Sequence, residues 1–370
     1  MLKRVYVDNF RCLSNFTLEP GRVSALVGPN GSGKSAVFDV LQALQQMLGP
    51  AGASVHEFFN PFTLTRWDTR TTQRVEIEVD IETDSFTYVL EVSHDPGART
   101  TKIQQEDLRA NGQMLYRLSG GEVQLFGDDP LPEPRTRFEI DARRSFIPML
   151  QARADNRRIT AFKTWIDRLW LFRLRPEAIA PVSHEEEFHL ASDGSNFVSW
   201  FRALLQEAPE VQERLRTMLR PIIPGLASMQ LSRGGQTDRW MSFRCEVAGQ
   251  QYTLGLAELS EGQRLLVVLY AVAEAIAQHA TQLVFDEPDN FVAESELQPW
   301  LSLLRERVAG SGRGSLIVIS HHPEVIDYLA ADQVLRLWRD DAGPSRVTVL
   351  EVDREEGLSA SEVLKLQVTG

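Results

Sequence analysis

Cysteine is almost absent from this chain. Cys12 and Cys245 are the only two among 370 residues, and their separation in sequence suggests neither a disulfide framework nor a cysteine-based metal site. Long hydrophobic runs are also lacking, since the most apolar stretch, residues 265–277, contains Glu274 and is too short to cross a bilayer. No charged-then-apolar signal peptide opens the sequence. We therefore expect a cytoplasmic protein without a membrane partner.

An excess of positive charge is missing as well. The chain has 51 acidic and 39 basic residues, a formal net charge of −12, which argues against a protein that coats nucleic acid with its whole surface. Residues 135–175 are the exception, because eleven basic residues outnumber four acidic ones there and aromatic residues lie between them. This segment either binds a phosphate backbone or a partner protein, or forms a helical subdomain with its aromatics in a core and its arginines in solvent.

The hydrophobic pattern predicts an α/β fold built from four segments. Residues 1–60 contain two strands and a first helix, and residues 61–135 alternate apolar and polar residues as an antiparallel β-meander does. Residues 136–235 show mainly helical periodicity and form the basic, aromatic-rich insertion. Residues 236–370 alternate helices and strands, which predicts a mostly parallel sheet covered by helices.

The most specific motif is Gly28-Pro29-Asn30-Gly31-Ser32-Gly33-Lys34-Ser35, which fits the phosphate-binding pattern G-x-x-x-x-G-K-[ST]. An apolar strand precedes this phosphate loop and a helix follows it, so backbone N–H groups and the helix N-terminus would surround phosphate oxygens. We expect Lys34 to reach the β- and γ-phosphates and Ser35 to bind Mg²⁺. The sequence thus predicts ATP and Mg²⁺ as cofactors, with nucleotide contacts from Asn30, Gly31, Ser32, Gly33, Lys34, Ser35 and Ala36.

A second nucleotide motif is the apolar strand 282–285, which ends in Asp286 and Glu287. In this arrangement, called Walker B, a buried strand delivers the first carboxylate to Mg²⁺ and the second to a water in line with the γ-phosphate. We predict that Asp286 is a metal ligand and that Glu287 is catalytic. The alternative, two acids that cap the following helix, is less consistent with the phosphate loop upstream.

Residues 259–263, Leu-Ser-Glu-Gly-Gln, stand about 20 residues before the Walker B acids and open an apolar helix. They are similar to the LSGGQ signature of ABC-type ATPases. Residues 118–122 match its letters better over four positions, but predicted strands flank them, so Gly120 and Gly121 are expected to form a hairpin turn. A signature has to open a helix whose N-terminus faces phosphate, and only residues 259–263 do so.

Two adjacent histidines, His321 and His322, follow the next predicted strand. In ABC-type ATPases a switch histidine occupies this place, contacts the γ-phosphate and helps to orient the attacking water. His321 is the closer match in register and is predicted to be catalytic, and His322 is the alternative. Residues 184–189 suggest a zinc motif, but their histidines are five apart rather than four, so we expect a solvated acidic face there.

Together these four ordered motifs resemble the ABC-type ATPase superfamily, on the branch that contains RecF, SMC and OLD-family ATPases. Asn9-Phe10-Arg11 is similar to the N-terminal "NFR" of that branch. The resemblance covers roughly residues 1–60 and 240–340. It implies an ABC-type P-loop ATPase core that carries an antiparallel β subdomain and a helical insertion.

The family also implies a head-to-tail homodimer, in which the phosphate loop of one subunit and the signature of the other hold each ATP. Ser260, Gly262 and Gln263 would then contact the nucleotide in trans. A Q-loop glutamine is expected between the first helix and the meander, and Gln73 is the candidate for this metal-binding role. Arg11 is expected near the nucleotide.

The sequence departs from the family at Glu261, which replaces the first glycine of the signature. It also departs at residues 289–293, which do not carry the aspartate that transporter subunits place in the loop after Walker B. The motifs are not separated by SMC-type coiled coils, and the given sequence ends about 50 residues after His321, where OLD-family nucleases carry a nuclease domain. We therefore expect an ATP-driven dimerising switch in DNA repair or anti-phage defence, with a separate nuclease or toxin partner and double-stranded DNA as a further ligand. The alternative is a regulatory ATP-binding module that holds such a partner inactive without acting on DNA.

Overall fold

The chain forms both helices and strands, with consecutive strands in its first half and alternating helices and strands from residue 261 to 338. The computed structural model describes residues 1–95, 97–129, 132–279, 282–310, 314–330, 332–351 and 358–369. Its strands, in chain order, are β1 (Leu2–Asp8), β2 (Phe16–Leu18), β3 (Val23–Val27), β4 (Thr72–Ile81), β5 (Asp84–Asp95), β6 (Thr100–Ala110), β7 (Gln113–Ser119), β8 (Glu122–Leu125), β9 (Thr136–Glu139), β10 (Leu169–Phe172), β11 (Val182–Ser183), β12 (Leu226–Arg233), β13 (Arg239–Val247), β14 (Gln250–Gly255), β15 (Gln282–Asp286), β16 (Ser315–Ile319), β17 (Val334–Trp338) and β18 (Arg346–Val349). Its helices are α1 (Lys34–Leu48), α2 (Val55–Phe58), α3 (Arg157–Asp167), α4 (Phe197–Glu207), α5 (Glu210–Leu219), α6 (Glu261–His279), α7 (Glu294–Gly310), α8 (Pro323–Leu329) and α9 (Ala360–Thr369).

These elements belong to two units. The first comprises Met1–Leu169, Ser315–Ile317 and Leu329–Gly370, and the second comprises Trp170–Gly314 and Val318–Tyr328. Among the described residues, no helix combines the length and the apolar character that a membrane span requires.

The first unit holds an eight-stranded antiparallel sheet with the strand order β2-β1-β4-β5-β6-β7-β8-β9. The predicted meander is present, but it shares this sheet with the N-terminal segment, because β1 pairs with β4 from Leu2 to Asp8. Gly120 and Gly121 form the turn between β7 and β8, both with positive φ. Residues 118–122 are therefore a hairpin, as predicted, and do not open a helix.

The alternation that predicted the meander decides which face of the sheet is covered. Along β5, Phe86, Tyr88, Leu90 and Val92 are buried. Helix α3 packs on this face, where the Phe162 ring stacks 6.0 Å from the ring of Phe86 and 5.7 Å from that of Tyr88. A strand with one covered face has this period-two pattern, which is why it could be recognised in the sequence.

Glu106 on β6 is a fully buried carboxyl group in the same sheet. Its oxygens accept hydrogen bonds from the hydroxyls of Tyr88 at 2.9 Å, Tyr116 at 2.9 Å and Ser145 at 2.7 Å. Burial raises the pKa of Glu106 to about 7, although these three hydrogen bonds favour the ionised form. The group therefore changes its charge near neutral pH.

The first unit also contains consecutive strands of a second sheet, in the order β16-β3-β17-β18, to which β16 contributes Ser315–Ile317. β17 runs parallel to β3, and β18 runs antiparallel to β17. Residues 24–27 of β3 are all buried, as expected for a strand covered on both faces. Helix α1 follows β3 and buries the apolar positions that the sequence indicated, Val37, Val40, Leu41, Leu44 and Leu48.

The second unit contains the strands β10-β15-β16, to which β16 contributes its last two residues, and an antiparallel sheet in which β13 pairs with β11, β12 and β14. Helix α6 crosses its core, and the indole N–H of Trp300 on α7 donates to the Leu269 carbonyl at 3.1 Å. Glu274 on α6 is 2% exposed, and Arg307 of α7 and Arg214 of α5 each lie 2.6 Å from one of its oxygens. Because an uncompensated buried charge is costly, this ion pair network stabilises the packing of α5 and α7 on α6.

The predicted insertion, residues 136–235, differs from its sequence-based description. It contains helices α3, α4 and α5, as the periodicity predicts, but also the strands β9, β10, β11 and β12, which the sequence did not indicate. The boundary between the two units, at Leu169 and Trp170, falls inside it. The four-segment division of the chain stays a prediction.

The buried carboxyl of Glu106 makes stability depend on pH. Between about pH 5 and 8 the folded protein keeps a proton that the unfolded chain has already released, so the free energy of unfolding falls as the pH rises. Compared with Glu106→Gln, which cannot ionise, the wild type should lose roughly 2 to 3 kcal/mol over this range. Urea denaturation at several pH values measures the difference. Glu139→Gln, an exposed change on β9, is the control, and parallel curves for wild type and Glu106→Gln would contradict the prediction.

Candidate active site

The phosphate loop, residues 28–35, connects β3 to α1 in the first unit and depends on glycine at two points. Gly28 has φ +151°, and a Cβ there would lie 2.2 Å from the Leu337 carbonyl oxygen. Gly33 has φ +106°, and a Cβ there would lie 2.6 Å from the Ser345 hydroxyl. Side chains are excluded by both the backbone conformation and the close approach of β17 and the segment before β18. The tight loop thus requires the fixed glycines of the motif.

Two side chains, one from the loop itself and one from a distant part of the first unit, hold the carbonyl groups of this loop. The Lys34 ammonium donates to the Gly28 carbonyl at 2.7 Å and to that of Pro29 at 3.1 Å. The hydroxyl of Ser345 donates to the Ser32 carbonyl at 2.7 Å. These contacts fix the direction of the loop carbonyls, which is one condition for N–H groups to face an anion.

Arg339 is a further support of the loop. Its Nη1 donates to the Gly31 carbonyl at 3.1 Å, and its guanidinium carbon lies 5.5 Å from the ring centroid of Trp67. Neither Arg339 nor Ser345 was identified from the sequence, because both are more than 300 residues from the loop and neither belongs to a motif.

The N-terminus of α1 suits a bound phosphate. Gly33 is the N-cap and makes no side-chain cap, and the first turn carries no acidic residue. The hydroxyl of Ser32 is buried without a hydrogen-bond partner among the described residues. Asn30, Gly31 and Ser35 are exposed, and Ala36 is buried. Uncapped N–H groups and the helix dipole favour an anion at this position, so the residues fit a nucleotide phosphate.

Arg11 and Gln73, also in the first unit, have structural contacts. Arg11 forms an ion pair with Asp39 of α1, and its guanidinium carbon lies 5.3 Å from the Phe10 ring centroid. Gln73 is 1% exposed, its amide nitrogen donates to the Asn9 carbonyl at 2.9 Å, and its oxygen is 2.9 Å from His94 Nε2. A buried amide engaged at both ends does not present an oxygen to a metal in this structure. We therefore do not assign a metal-binding role to Gln73. A nucleotide contact of Arg11 stays a prediction.

The Walker B residues lie at the end of β15 in the second unit. All five residues of β15 are buried, and the Asp286 side chain is 4% exposed. Glu287 has φ +51°, an uncommon conformation for a residue other than glycine, and its N–H donates to the Ile319 carbonyl at 2.9 Å. Its Oε2 accepts a hydrogen bond from Asn290 at 3.0 Å. The strained backbone turns this carboxylate away from the strand.

The structure brings His321 and Glu287 together. Nδ1 of His321 lies 3.7 Å from Oε1 of Glu287, and the His321 side chain is 55% exposed. His322 differs, because its Nδ1 accepts a hydrogen bond from the Glu324 N–H at the start of α8. The geometry therefore favours His321 over its neighbour as the switch histidine.

A buried acid connects the Walker B loop with the histidine loop. Asp289 is 5% exposed, and its Oδ2 accepts a hydrogen bond from the Ser320 hydroxyl at 3.0 Å. The same hydroxyl accepts the N–H of His322 at 2.9 Å. Burial raises the pKa of Asp289, against the hydrogen bond from Ser320. This contact holds the two loops at a fixed separation.

The signature, residues 259–263, forms the start of α6. Ser260 and Gln263 make a capping box: the Ser260 N–H donates to Gln263 Oε1 at 3.1 Å, and the Gln263 N–H donates to the Ser260 hydroxyl at 3.2 Å. The Gln263 amide nitrogen also donates to the Ile222 carbonyl at 3.0 Å. A Cβ at Gly262 would lie 2.5 Å from the Phe291 carbonyl oxygen. This glycine thus lets the signature pack against the Walker B loop, and the nucleotide contacts of all three residues stay predictions.

Arg173 is a site residue that the motif search missed. It directly follows β10, and its Nε donates to Asp286 Oδ2 at 2.7 Å. The sequence indicated a basic residue here but nothing about its partner, because β10 was not predicted.

The basic segment 135–175 matches the second of its two interpretations more closely. Phe162, Trp165 and Phe172 are each at most 3% exposed, so they are not available for stacking on bases. At least six of the eleven basic residues have partners: Arg135, Arg143, Arg157, Arg158 and Arg173 form ion pairs, and Lys163 donates to backbone carbonyls. No group of three or more potential metal ligands occurs among the described residues, which include 184–189.

Comparison with known proteins gives a family and a fold. A family model described as "AAA domain, putative AbiEii toxin, Type IV TA system" matches residues 23–327. The OLD nuclease of Thermus scotoductus is 40% identical over 82 residues, which are 22% of this chain and 15% of that protein. Antigen peptide transporter 2 of Homo sapiens is 68% identical over 34 residues, 9% of this chain and 5% of the transporter. The matched parts therefore span only a small share of both relatives.

Two solved structures are similar over nearly their whole length. An Smc head bound to the C-winged helix domain of ScpA has a TM-score of 0.60 at 17% identity, covering 96% of this chain and 99% of that chain. An Smc head domain with an extended coiled coil, bound to the C-terminal domain of ScpA from Pyrococcus furiosus, has a TM-score of 0.53 at 14% identity, covering 100% and 98%. At these identities the similarity concerns the fold. The match over residues 23–327 shows that the chain belongs to the AAA-domain family that this model describes, and its α/β fold is that of the ABC-type ATPases of the SMC and OLD-like branch.

Proposed function

We propose that the protein is a Mg²⁺-dependent ATP hydrolase whose nucleotide state controls a partner. The observation that carries this proposal is the pairing of Glu287 with His321, 3.7 Å apart at the ends of two buried strands. A nucleotide-binding module without hydrolysis needs a phosphate loop, but it has no need of an acid–histidine pair beside the metal-binding aspartate.

Each residue has a separate task in this proposal. The phosphate loop and the N-terminus of α1 bind the phosphates, and Lys34 leaves the loop carbonyls to contact the β- and γ-phosphates. Mg²⁺ held by Ser35 and Asp286 would neutralise charge on the phosphate oxygens. Glu287 orients and deprotonates the attacking water, and His321 steadies that carboxylate and contacts the γ-phosphate.

We further propose a head-to-tail homodimer that closes on two ATP molecules, with Ser260, Gly262 and Gln263 acting on the nucleotide of the other subunit. Its support is the start of α6, where Ser260 and Glu261 of the signature are exposed at a helix N-terminus. The same proposal places the protein in the cytoplasm and gives it a role in DNA repair or anti-phage defence. The family description names a putative toxin and the matched relative is a nuclease, so a toxin or a nuclease is the kind of effector that we propose.

A second candidate is a regulatory module that holds its effector inactive without acting on DNA. It is favoured by the basic segment, in which Phe162, Trp165 and Phe172 are buried and five arginines pair with acids, because such a surface offers less to a phosphate backbone. ATP hydrolysis that is indifferent to linear double-stranded DNA at low salt favours this candidate over the first.

Glu287→Gln tests the proposed hydrolysis. We expect kcat to fall about 10² to 10³-fold, since the amide cannot accept the proton of the water, while ATP binding is retained. Steady-state phosphate release and equilibrium binding of a fluorescent ATP analogue measure the two effects. Glu306→Gln, an exposed change on α7, is the matched control. Undiminished hydrolysis by Glu287→Gln would falsify the assignment of the catalytic base.

The adjacent histidines allow a matched comparison. His321→Ala should reduce kcat by about tenfold or more, because the residue that steadies Glu287 is lost. His322→Ala removes a backbone contact at the start of α8 and should leave kcat near the wild-type value. Both variants are measured by phosphate release and by thermal unfolding. A larger loss of kcat in His322→Ala than in His321→Ala would reverse the assignment.

Mixing two inactive variants tests the signature in trans. Lys34→Ala disables the phosphate loop, and Ser260→Arg blocks the signature. In a head-to-tail dimer a mixed pair contains one site with both changes and one intact site, so an equimolar mixture should recover about a quarter of wild-type hydrolysis. Differently tagged chains show by co-purification that mixed dimers have formed. Mixed dimers without recovered activity would contradict a signature that acts in trans on independent sites.

A further inference from the structure

The ion pair between Arg173 and Asp286 lies at the residue that the proposed function assigns to Mg²⁺. The Nε to Oδ2 distance is 2.7 Å, and the exposed fractions of the two side chains are 34% for Arg173 and 4% for Asp286. A carboxylate this deeply buried needs a positive or hydrogen-bonding partner in the nucleotide-free protein, because an uncompensated buried charge is strongly destabilising.

The backbone next to both residues is held in place. The ring of Phe172, one residue before Arg173, lies 5.4 Å from that of Phe285, one residue before Asp286. The N–H of Arg173 donates to the Ser192 carbonyl at 2.8 Å. The ion pair therefore rests on two anchored strand ends, and only the arginine side chain has to move for the contact to open.

We propose that Arg173 is a positioning residue that holds the metal-binding oxygen of Asp286 until Mg²⁺ and nucleotide arrive. The guanidinium neutralises and orients the carboxylate. A bound Mg²⁺ would supply the positive charge in its place, and Arg173 would then give up its Nε to Oδ2 hydrogen bond, because two cations on one buried oxygen repel each other. The release of Arg173 then reports the loaded state to the end of β10 and to the chain around Ser192. This inference rests on the proposed function.

A placeholder arginine and a purely structural ion pair make different predictions. Under both hypotheses, removal of Arg173 lowers the stability of the nucleotide-free protein. Only removal of a placeholder also strengthens Mg²⁺ binding, because the metal no longer displaces a competing cation from the carboxylate.

The experiment is a Mg²⁺ titration of the full chain with a fluorescent, non-hydrolysable ATP analogue. For Arg173→Gln we expect the Mg²⁺ concentration at half-maximal binding to fall about three- to tenfold relative to wild type. Arg175→Gln, an exposed change two residues further along with the same loss of charge, should match the wild type. Arg173→Lys keeps the charge without the planar fork, so its midpoint should fall less, and it replaces the glutamine variant if that one does not fold.

Two results overturn the proposal. An unchanged midpoint means that Arg173 does not compete with the metal, and a higher midpoint means that the arginine supports the loaded site. If the wild type binds no analogue at any Mg²⁺ concentration, the proposed function fails. The inference about Arg173 is then tested by the effect of Mg²⁺ alone on thermal unfolding. Excess Mg²⁺ should raise the melting temperature of Arg173→Gln more than that of wild type, and equal shifts overturn the inference.

Discussion

The backbone hydrogen bond from the Glu287 N–H to the Ile319 carbonyl joins the ends of two buried strands, and the placement of Glu287 beside His321 depends on it. It holds Glu287 at φ +51°, so the side chain leaves the strand on the side where His321 begins the next loop. The Asp289 and Ser320 contact then fixes the distance between the two loops. Strain of this kind persists only when several contacts determine the same geometry, and here three do so.

The phosphate loop and the Walker B strand each contain polar or charged groups that need a partner when no ligand is bound, and different side chains supply that partner. In the phosphate loop of the first unit, the Lys34 ammonium and the Ser345 hydroxyl donate hydrogen bonds to backbone carbonyls of the tight glycine turn. At the end of β15 in the second unit, Arg173 forms an ion pair with the buried carboxylate of Asp286. Each contact satisfies a polar or charged group that would destabilise the fold if it were buried without a partner. Two of these contacts also involve a side chain, Lys34 or Asp286, to which the proposed function assigns a ligand contact. A site that holds its own groups in this way can fold without the ligand and exchange these contacts when the ligand binds.

Sequence patterns predicted those parts of the molecule in which local chemistry decides the structure. The phosphate loop, the Walker B strand and the β4 to β8 meander follow from fixed glycines, a buried apolar run and strict alternation. The strand β10 was missed because four apolar residues show no period, so a short strand cannot be told from a helical segment. Gln73 matched a family expectation by position, but its burial against His94 depends on a partner 21 residues away. Arg339 and Ser345 reach the phosphate loop only through tertiary structure, which no local pattern encodes.

The basic segment shows how charge in sequence differs from charge in space. Eleven basic residues within 135–175 suggest a patch, yet Arg135, Arg157 and Arg158 contact acids at positions 129, 128 and 84, outside that window. Acids brought in by folding reduce the local field, and counterion release by such a surface is correspondingly small. Arg173 is the member of this segment whose pairing is tied to the proposed reaction, because its partner is the Walker B aspartate. Within this segment, the contact that bears on the proposed function is therefore the ion pair of Arg173 with Asp286, through which we propose that one arginine couples nucleotide state to the surrounding chain.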